Sequence, residues 1–140
     1  MASGFCTAWM NLILDEIFGA VDITKPGTLY FGLCTGGVSA AGVVTGEPSG
    51  NGYARKDITN DKNLWTDAAA GALENEVAIT FAQASGSWGT VAYFFIANHL
   101  TDTGSAIIAY GELTTPKAID NGDTAQFAIG DLDISLSASP

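Results

Sequence analysis

Two apolar patterns between positions 75 and 97 predict the centre of the fold. Val77, Ile79 and Phe81 alternate with polar or small residues, and this period of two predicts a β-strand with one buried face. After a corner of small residues, the run 91–97 is apolar at both parities, which predicts a strand covered on both faces. We expect these two strands to pair and the rest of the chain to pack around the second one.

Shorter patterned segments lie on both sides of this centre. The turn Asp120-Asn121-Gly122-Asp123 carries the strongest hairpin signal in the sequence. With the central pair, these segments give seven or eight closely spaced strands, a pattern typical of a mainly β fold, namely a β-sandwich or jelly-roll-like domain with one short N-terminal helix. The further predicted strands are 28–34, 52–58, 105–113, 117–119, 124–129 and the alternating residues Leu132, Ile134 and Leu136.

The N-terminal helix is predicted over 1–19, with Ser3 as its N-cap and Gly19 as its stop. One apolar face consists of Phe5, Trp9, Leu12, Ile13 and Ile17. A second stripe, Met10, Leu14 and Phe18, is wider than one core face requires, so it either contacts a neighbouring subunit or is buried in the same chain. The 140 residues suit a single domain, 1–140, with the β-sandwich over 28–136.

The segment 35–52 is the longest stretch without a strong period. A long loop in a compact domain is often functional, and we expect this one to become ordered against a partner. Together with the helix it supplies the candidate partner contacts, which are Trp9, Met10, Leu14, Phe18, Val43, Val44 and Glu47.

The charge of the chain excludes several classes of partner. A net charge of -10 arises from 15 acidic residues against five basic ones, and the acids are scattered. Binding to DNA or RNA requires clustered Lys and Arg, so we expect no nucleic-acid partner. The same charge opposes docking on an anionic membrane. Only 14% of residues are charged, against about 25% in an average protein. This suggests either an oligomer or lattice that covers part of the surface, or a compact monomer with a neutral polar surface.

Cys6 and Cys34 are 28 residues apart and lack the spacing of a zinc site, so buried free thiols are expected, with a disulfide as the alternative. The apolar segment 5–18 has no basic region before it and is closed by Asp15 and Glu16. It therefore fits neither a signal peptide nor a membrane span. We expect synthesis and folding in a cytoplasm.

A search for chemistry yields no catalytic, cofactor-binding or metal-ligating residue, and we expect that the protein is not an enzyme. His99 lies in a loop, and the glycines match neither a nucleophile elbow nor a phosphate loop. Solvated acids are favoured over a glycosidase pair, and the aspartates near the C-terminus miss the calcium-loop spacing. Trp88 is expected to cap the sandwich, with a sugar-stacking platform as the alternative.

Seven segments in chain order resemble a family of small tailed-bacteriophage proteins commonly labelled tail fibre protein. The resemblance covers nearly the whole chain, and the family has no catalytic motif to carry over. The segments are 14–19 (LDEIFG), 28–33 (TLYFGL), 52–55 (GYAR), 79–81 with 88–91 (ITF and WGTV), 111–117 (GELTTPK) and 130–132 (GDL).

The resemblance implies a virion structural protein whose partners are other virion proteins, either the major capsid protein or tail proteins. It also implies a homo-oligomer, for which a trimer is the expected form. A compact chain without repeats cannot form a fibre shaft, so we expect a capsid decoration or cement protein on the head exterior. The alternatives are a tail fibre, baseplate or adaptor module and a host-glycan-binding module that uses Trp88 or Tyr53.

Overall fold

The computed structural model describes residues 3–19 and 21–136, and the fold is mainly β with antiparallel pairing. One α-helix, α1, spans Thr7–Phe18, and one 3₁₀ turn spans Gly104–Ala106. The strands are β1 (Gly4–Phe5), β2 (Thr28–Cys34), β3 (Gly37–Val38), β4 (Val44–Thr45), β5 (Lys56–Thr59), β6 (Ala72–Glu74), β7 (Ile79–Thr80), β8 (Gly89–Ala97), β9 (Ile107–Ile119), β10 (Gln126–Phe127) and β11 (Asp133–Ser135).

Strand β8 is the centre of the molecule. It lies in a five-stranded sheet of order β1-β9-β8-β2-β5, between β9 and β2. Its side chains alternate between two separate hydrophobic clusters: Phe94 and Ile96 face one, and Phe95 and Ala97 face the other. The prediction of a strand covered on both faces is therefore confirmed.

The larger cluster is covered by a second layer of short strands. In this layer β6 pairs with β11 and β7 pairs with β10, each in antiparallel register. Ile79, Phe81 and Leu132 from this layer pack against Phe31 and Ile96 of the central sheet. Two layers around one core make the domain a β-sandwich, as the sequence predicts. The opposite face of the sheet is covered by the β3–β4 hairpin and the start of α1.

The predicted pairing of segment 75–81 with β8 is wrong. Only Ile79 and Thr80 form a strand there, and they pair with Phe127 and Gln126 of the second layer. The corner of small residues before β8 carries the chain from one layer to the other instead of reversing it within one sheet. Trp88 closes this corner, because its Nε1–H donates to the Asn51 carbonyl at 2.9 Å.

The turn 120–123 is confirmed, but it does not make a hairpin with β9. The Asp123 N–H donates to the Asp120 carbonyl at 3.0 Å, and Gly122 has the positive φ of 91° that suits glycine. The Gly122 N–H then donates to the carbonyl of Ala84 in the corner before β8. This bond directs the chain into the second layer, where β10 finds β7.

Two glycines lie beneath the phenylalanine rings of β8. A Cβ added to Gly32 on β2 would lie 2.1 Å from Cζ of Phe95, and one added to Gly111 on β9 would lie 2.7 Å from Cε1 of Phe94. Because Phe94 and Phe95 point to opposite faces, each neighbouring strand gives space to one ring. The close packing of β8 therefore depends on the missing side chains of its two neighbours.

Several predicted boundaries need correction. The helix begins at Thr7 after Cys6, not after Ser3, because Phe5 is drawn into β1. The strand predicted over 52–58 is β5, Lys56–Thr59. Leu64 is fully buried in the connection between β5 and β6, although its sequence neighbours are mostly polar. The helix end at Gly19 is confirmed, with a left-handed φ of 86°.

Candidate interaction surface

The start of α1 is tied to the body of the domain by hydrogen bonds. The Cys6 N–H donates to the Ile108 carbonyl at 2.9 Å, and the Thr7 N–H donates to the Ala40 carbonyl at 2.8 Å. Trp9 is buried, and its Nε1–H donates to the carbonyl of Ser105 at 2.9 Å. Although the sequence suggests Trp9 as a partner contact, its side chain is used inside the chain.

Beyond Trp9 the helix leaves an apolar stripe exposed. Met10 is 41% exposed, Leu14 53% and Phe18 79%, and their spacing of four residues places them on one side of the helix. Ile17, at 66%, lies on the same side of the helix. These four residues are referred to below as the α1 stripe. A contiguous group of large exposed apolar side chains is typical of a protein–protein contact.

The charged residues on α1 and just after it are acidic. Asp15, Glu16 and Asp22 lie on or just after the helix, and the sequence contains no Lys or Arg before Lys25. Glu16 accepts a hydrogen bond from the Ile23 N–H, so the acidic rim continues into the segment after the helix. A surface that complements this one is apolar in the middle and basic at its edge.

The segment 35–52 folds within the chain, so the expectation that it becomes ordered only against a partner is wrong. It contains the β3–β4 hairpin, in which Val38 pairs with Val44. Val44 packs against the smaller hydrophobic cluster, whereas Val43 is 58% exposed. Of the two predicted contact valines, Val43 therefore has the larger surface to offer.

Glu47, the last predicted contact residue, is half of an ion pair with Arg55. Nε and Nη2 of Arg55 donate to the two carboxylate oxygens at 2.8 and 2.9 Å. Nη1 donates to the carbonyls of His99 and Asp102 at 2.9 and 2.8 Å, and Nη2 also donates to the carbonyl of Thr101 at 3.2 Å. All five guanidinium donors are thus used, as a buried arginine requires.

This arrangement joins the loop 99–102 to the central sheet. Arg55 is buried, and its guanidinium carbon lies 4.8 Å from the centre of the Phe95 ring. His99 shapes the same loop, because its Nδ1 accepts the backbone N–H groups of Thr101 and Asp102 at 3.1 and 3.0 Å. The role of Arg55 is therefore to hold a loop, and His99 acts as a local acceptor there.

Tyr53 completes the group around Glu47. Its hydroxyl lies 2.9 Å from Glu47 Oε1, to which it donates, and it accepts the N–H of Leu33 at 3.0 Å. Burial raises the pKa of the Tyr53 hydroxyl above its ordinary value, and the carboxylate of Glu47 raises that pKa further. The ring stacks edge-on against Trp88.

Sequence reasoning missed this buried group, although one signal was present. Arg55 is the only arginine in a chain of 15 acidic residues. A lone arginine in an acidic chain is a good candidate for a buried pair, because its planar donors suit carboxylates and carbonyls. The identity of its partners depends on a loop more than forty residues away, which no local pattern predicts.

The other residues that the sequence suggested for binding or chemistry are buried or form hydrogen bonds within turns. Trp88 is buried, and Tyr53 is half-buried against it, so neither presents an open ring to a sugar. Asp123 and Asp131 accept the backbone N–H groups of Asp120 and Ala128 within their own turns. Over residues 3–19 and 21–136, no group of three or more potential ligands could hold a metal ion.

The two cysteines are free thiols in the smaller hydrophobic cluster, as the sequence predicts. Burial raises the pKa of both Cys6 and Cys34, which disfavours the reactive thiolate.

Within the part of the chain that the structure describes, no helix has the length and apolar character needed to cross a membrane.

A comparison with protein families identifies the chain. The family model described as Podophage GP4 fiber I protein gp80 matches residues 4–135, which is nearly the entire sequence. The chain belongs to this family. A search of curated proteins finds no match. Membership confirms the resemblance to phage tail fibre-type proteins and makes this fibre-family protein a bacteriophage virion component.

The family description bears differently on the two virion sites predicted from the sequence. It names a fibre protein, which fits the tail fibre alternative better than capsid decoration. Association with other virion proteins follows from the same membership. Synthesis in the host cytoplasm, the homo-oligomer and the absence of enzymatic activity stay predictions.

Proposed function

We propose that this fibre-family protein is a structural module of the tail fibre apparatus and that it attaches to another virion protein through the α1 stripe. The observation that carries the proposal is the exposure of this stripe on a helix of which only Trp9 is buried. Large apolar side chains that stay in water cost free energy, at roughly 25 cal/mol per Å². A partner that covers the stripe removes this cost.

The dimensions of the fold favour a joint or tip of a fibre over its shaft. The twelve residues of α1 span about 18 Å, and the sequence contains no repeat that could extend it. The long strands β8 and β9 pair within one compact sheet. A domain of this kind can connect or terminate a fibre built by other chains.

The charge around the α1 stripe favours a different protein as the partner over a second copy of this chain. Two copies of α1 would bring Asp15, Glu16 and Asp22 together, and the helix itself carries no Lys or Arg to offset them. Like charges at close range oppose such contact. A partner groove with an apolar floor and a rim of Lys or Arg would satisfy both features.

The first experiment measures the copy number of the chain in purified virions, from stained gel bands against the major capsid protein. A few copies to a few dozen per virion is the result expected for a tail fibre module. A ratio near one to the major capsid protein would overturn the tail location and support decoration of the head. Absence of the chain from virions would remove the structural proposal altogether.

A second experiment tests the α1 stripe itself. Virions of phage that carry the double substitution Leu14→Ser and Phe18→Ser should lack this protein. The purified double variant should stay folded. Asn11→Ser, at an exposed polar position of the same helix, is the matched control and should be incorporated normally. Normal incorporation of the double variant would show that the stripe is not the attachment surface.

Light scattering on the purified chain separately tests the homo-oligomer prediction.

A further inference from the structure

The sequence contains two Asn-Gly pairs, and both lie in exposed turns of the folded chain. They are Asn51-Gly52, before β5, and Asn121-Gly122, in the turn after β9. Asparagine is a chemically labile residue. A following glycine increases its reactivity, because the glycine nitrogen has no side chain beside it to hinder its approach to the asparagine amide. Both pairs have this chemistry, so the fold decides how they differ.

The reaction at such a pair is deamidation, and water is its co-reactant. The backbone nitrogen of the glycine loses its proton and attacks Cγ of the asparagine. A C–N bond forms, the Cγ–Nδ2 bond breaks and ammonia leaves. Water then opens the five-membered imide at one of its two carbonyls, which yields aspartate or isoaspartate. Ring closure displaces the asparagine side chain and the planar peptide unit between the two residues, with its carbonyl and its N–H.

Asn51 is held at its carbonyl and at its side chain. The carbonyl accepts the backbone N–H of Ser85 at 3.0 Å and the Nε1–H of Trp88 at 2.9 Å. Nδ2 of Asn51 donates to the carbonyl of Ser87 at 3.0 Å. Trp88 is buried, so loss of its acceptor would leave the indole N–H unpaired. A Cβ added to Gly86 would lie 2.6 Å from Cγ of Asn51, the atom that the glycine nitrogen must reach. The corner before β8 therefore holds this asparagine in place.

Asn121 is held only through the glycine that follows it. The Gly122 N–H donates to the Ala84 carbonyl at 2.8 Å. Within the described part of the chain, the side chain and the carbonyl of Asn121 take no part in a hydrogen bond. Gln83 Nε2 donates to the Gly122 carbonyl at 2.9 Å, which lies outside the reacting peptide unit. Ring closure therefore breaks one hydrogen bond at Asn121, whereas it breaks three at Asn51.

We infer that Asn121 is a site of spontaneous deamidation in the folded protein, whereas the fold protects Asn51. Each event adds a carboxylate between Asp120 and Asp123. When isoaspartate forms, the main chain also becomes longer by one carbon, just before the Gly122 N–H that directs the chain into the second layer. The modification thus accumulates with time at the connection between the two layers. The inference is independent of the α1 stripe and of the proposed function.

The test follows both asparagines by peptide mapping and mass spectrometry while the full-length chain is incubated in mildly alkaline buffer. Replacing an amide by a carboxylate raises the mass of the peptide that contains it. In the folded chain, Asn121 should react at least about tenfold faster than Asn51, because fewer hydrogen bonds must open. In guanidinium chloride, which unfolds both turns, the two rates should agree within about threefold.

Variants provide a second readout, because each event adds one negative charge. Isoelectric focusing of the incubated folded chain should show a new acidic band. The band should be absent from Asn121→Gln, whose longer side chain disfavours ring closure. It should be present in the matched control Asn11→Gln, which makes the same change at an exposed asparagine that leucine follows. An acidic band that persists in Asn121→Gln would place the reaction elsewhere and contradict the inference.

Three results of the peptide mapping would overturn the inference. The first is an intact Asn121 in the folded chain over a period in which the unfolded chain reacts completely. The second is deamidation of Asn51 in the folded chain at a rate equal to or above that of Asn121. The third is a difference between the two sites that persists undiminished in guanidinium chloride, which would assign it to the local sequence instead of the fold.

Discussion

Strand β8 and helix α1 are both rich in large apolar residues, yet the chain treats them in opposite ways. β8 is covered on both faces by its own domain, and Phe95 is completely buried. On α1 only Trp9 is buried, and Phe18 is 79% exposed. An apolar pattern predicts the period of an element, but it does not say whether the same chain or another one provides the cover.

The most direct way to break this comparison is to make the same substitution on both elements. Phe95→Ala should destabilise the domain by about 3 to 5 kcal/mol, because it opens a cavity in a packed core. Phe18→Ala should change stability by less than about 0.5 kcal/mol. Urea unfolding of both variants measures the difference. A large loss for Phe18→Ala would mean that α1 is covered within its own chain after all.

The buried Arg55 is part of the layer that covers β8. Replacing Arg55 should have the next largest effect on stability. Arg55→Met keeps the length of the side chain but leaves Glu47 and three loop carbonyls without their donors. We expect a loss of about 3 kcal/mol in the free energy of unfolding. Lys62→Met, at an exposed position, is the control. A loss below about 1 kcal/mol would show that the ion pair is dispensable.

The space beneath Phe95 gives a third test. Gly32→Ala places a methyl group against the ring and should destabilise the domain by about 2 kcal/mol. Gly27→Ala is the matched control, because a Cβ there would meet no atom within 4 Å. Thermal unfolding distinguishes the two variants. Equal melting temperatures would mean that the ring can move aside without cost.

The smallest effect concerns Tyr53, whose hydroxyl accepts from β2 beside β8. Tyr53→Phe should cost about 1 kcal/mol at neutral pH, because it leaves the Leu33 N–H without its acceptor. The pKa of Tyr53 is raised in the folded state, so above the ordinary value of 10.0 the unfolded state binds fewer protons and the native chain loses stability as pH rises. Tyr53→Phe removes this contribution, so the difference in unfolding free energy between the two proteins should shrink between pH 9 and about pH 11. A difference that stays constant would contradict the raised pKa.

Local patterns predicted the elements of this fold better than their pairing. The strand over Thr28–Cys34, the two-sided burial of β8 and the helix end at Gly19 follow from short-range periods and turn residues. The partner of segment 79–81 does not, because a corner of small residues can either reverse a strand or change layers. Choosing between them requires contacts with β10, which lies more than forty residues away.

The candidate interaction surface was predicted in part for the same reason. Met10, Leu14 and Phe18 share a helical spacing, and the structure places them together on one exposed side. Trp9 belongs to the same helix but is captured by the carbonyl of Ser105, a contact across almost a hundred residues.

The glycines beneath the two phenylalanines of β8 have a consequence for the history of the family. A large ring at position 94 requires a missing side chain at 111, and one at 95 requires the same at 32. Mutations at these positions should therefore be inherited in pairs among related phages. One pair links β8 to β9 and the other links β8 to β2. Correlated substitutions at these positions in related sequences would therefore reveal which strands lie on either side of β8.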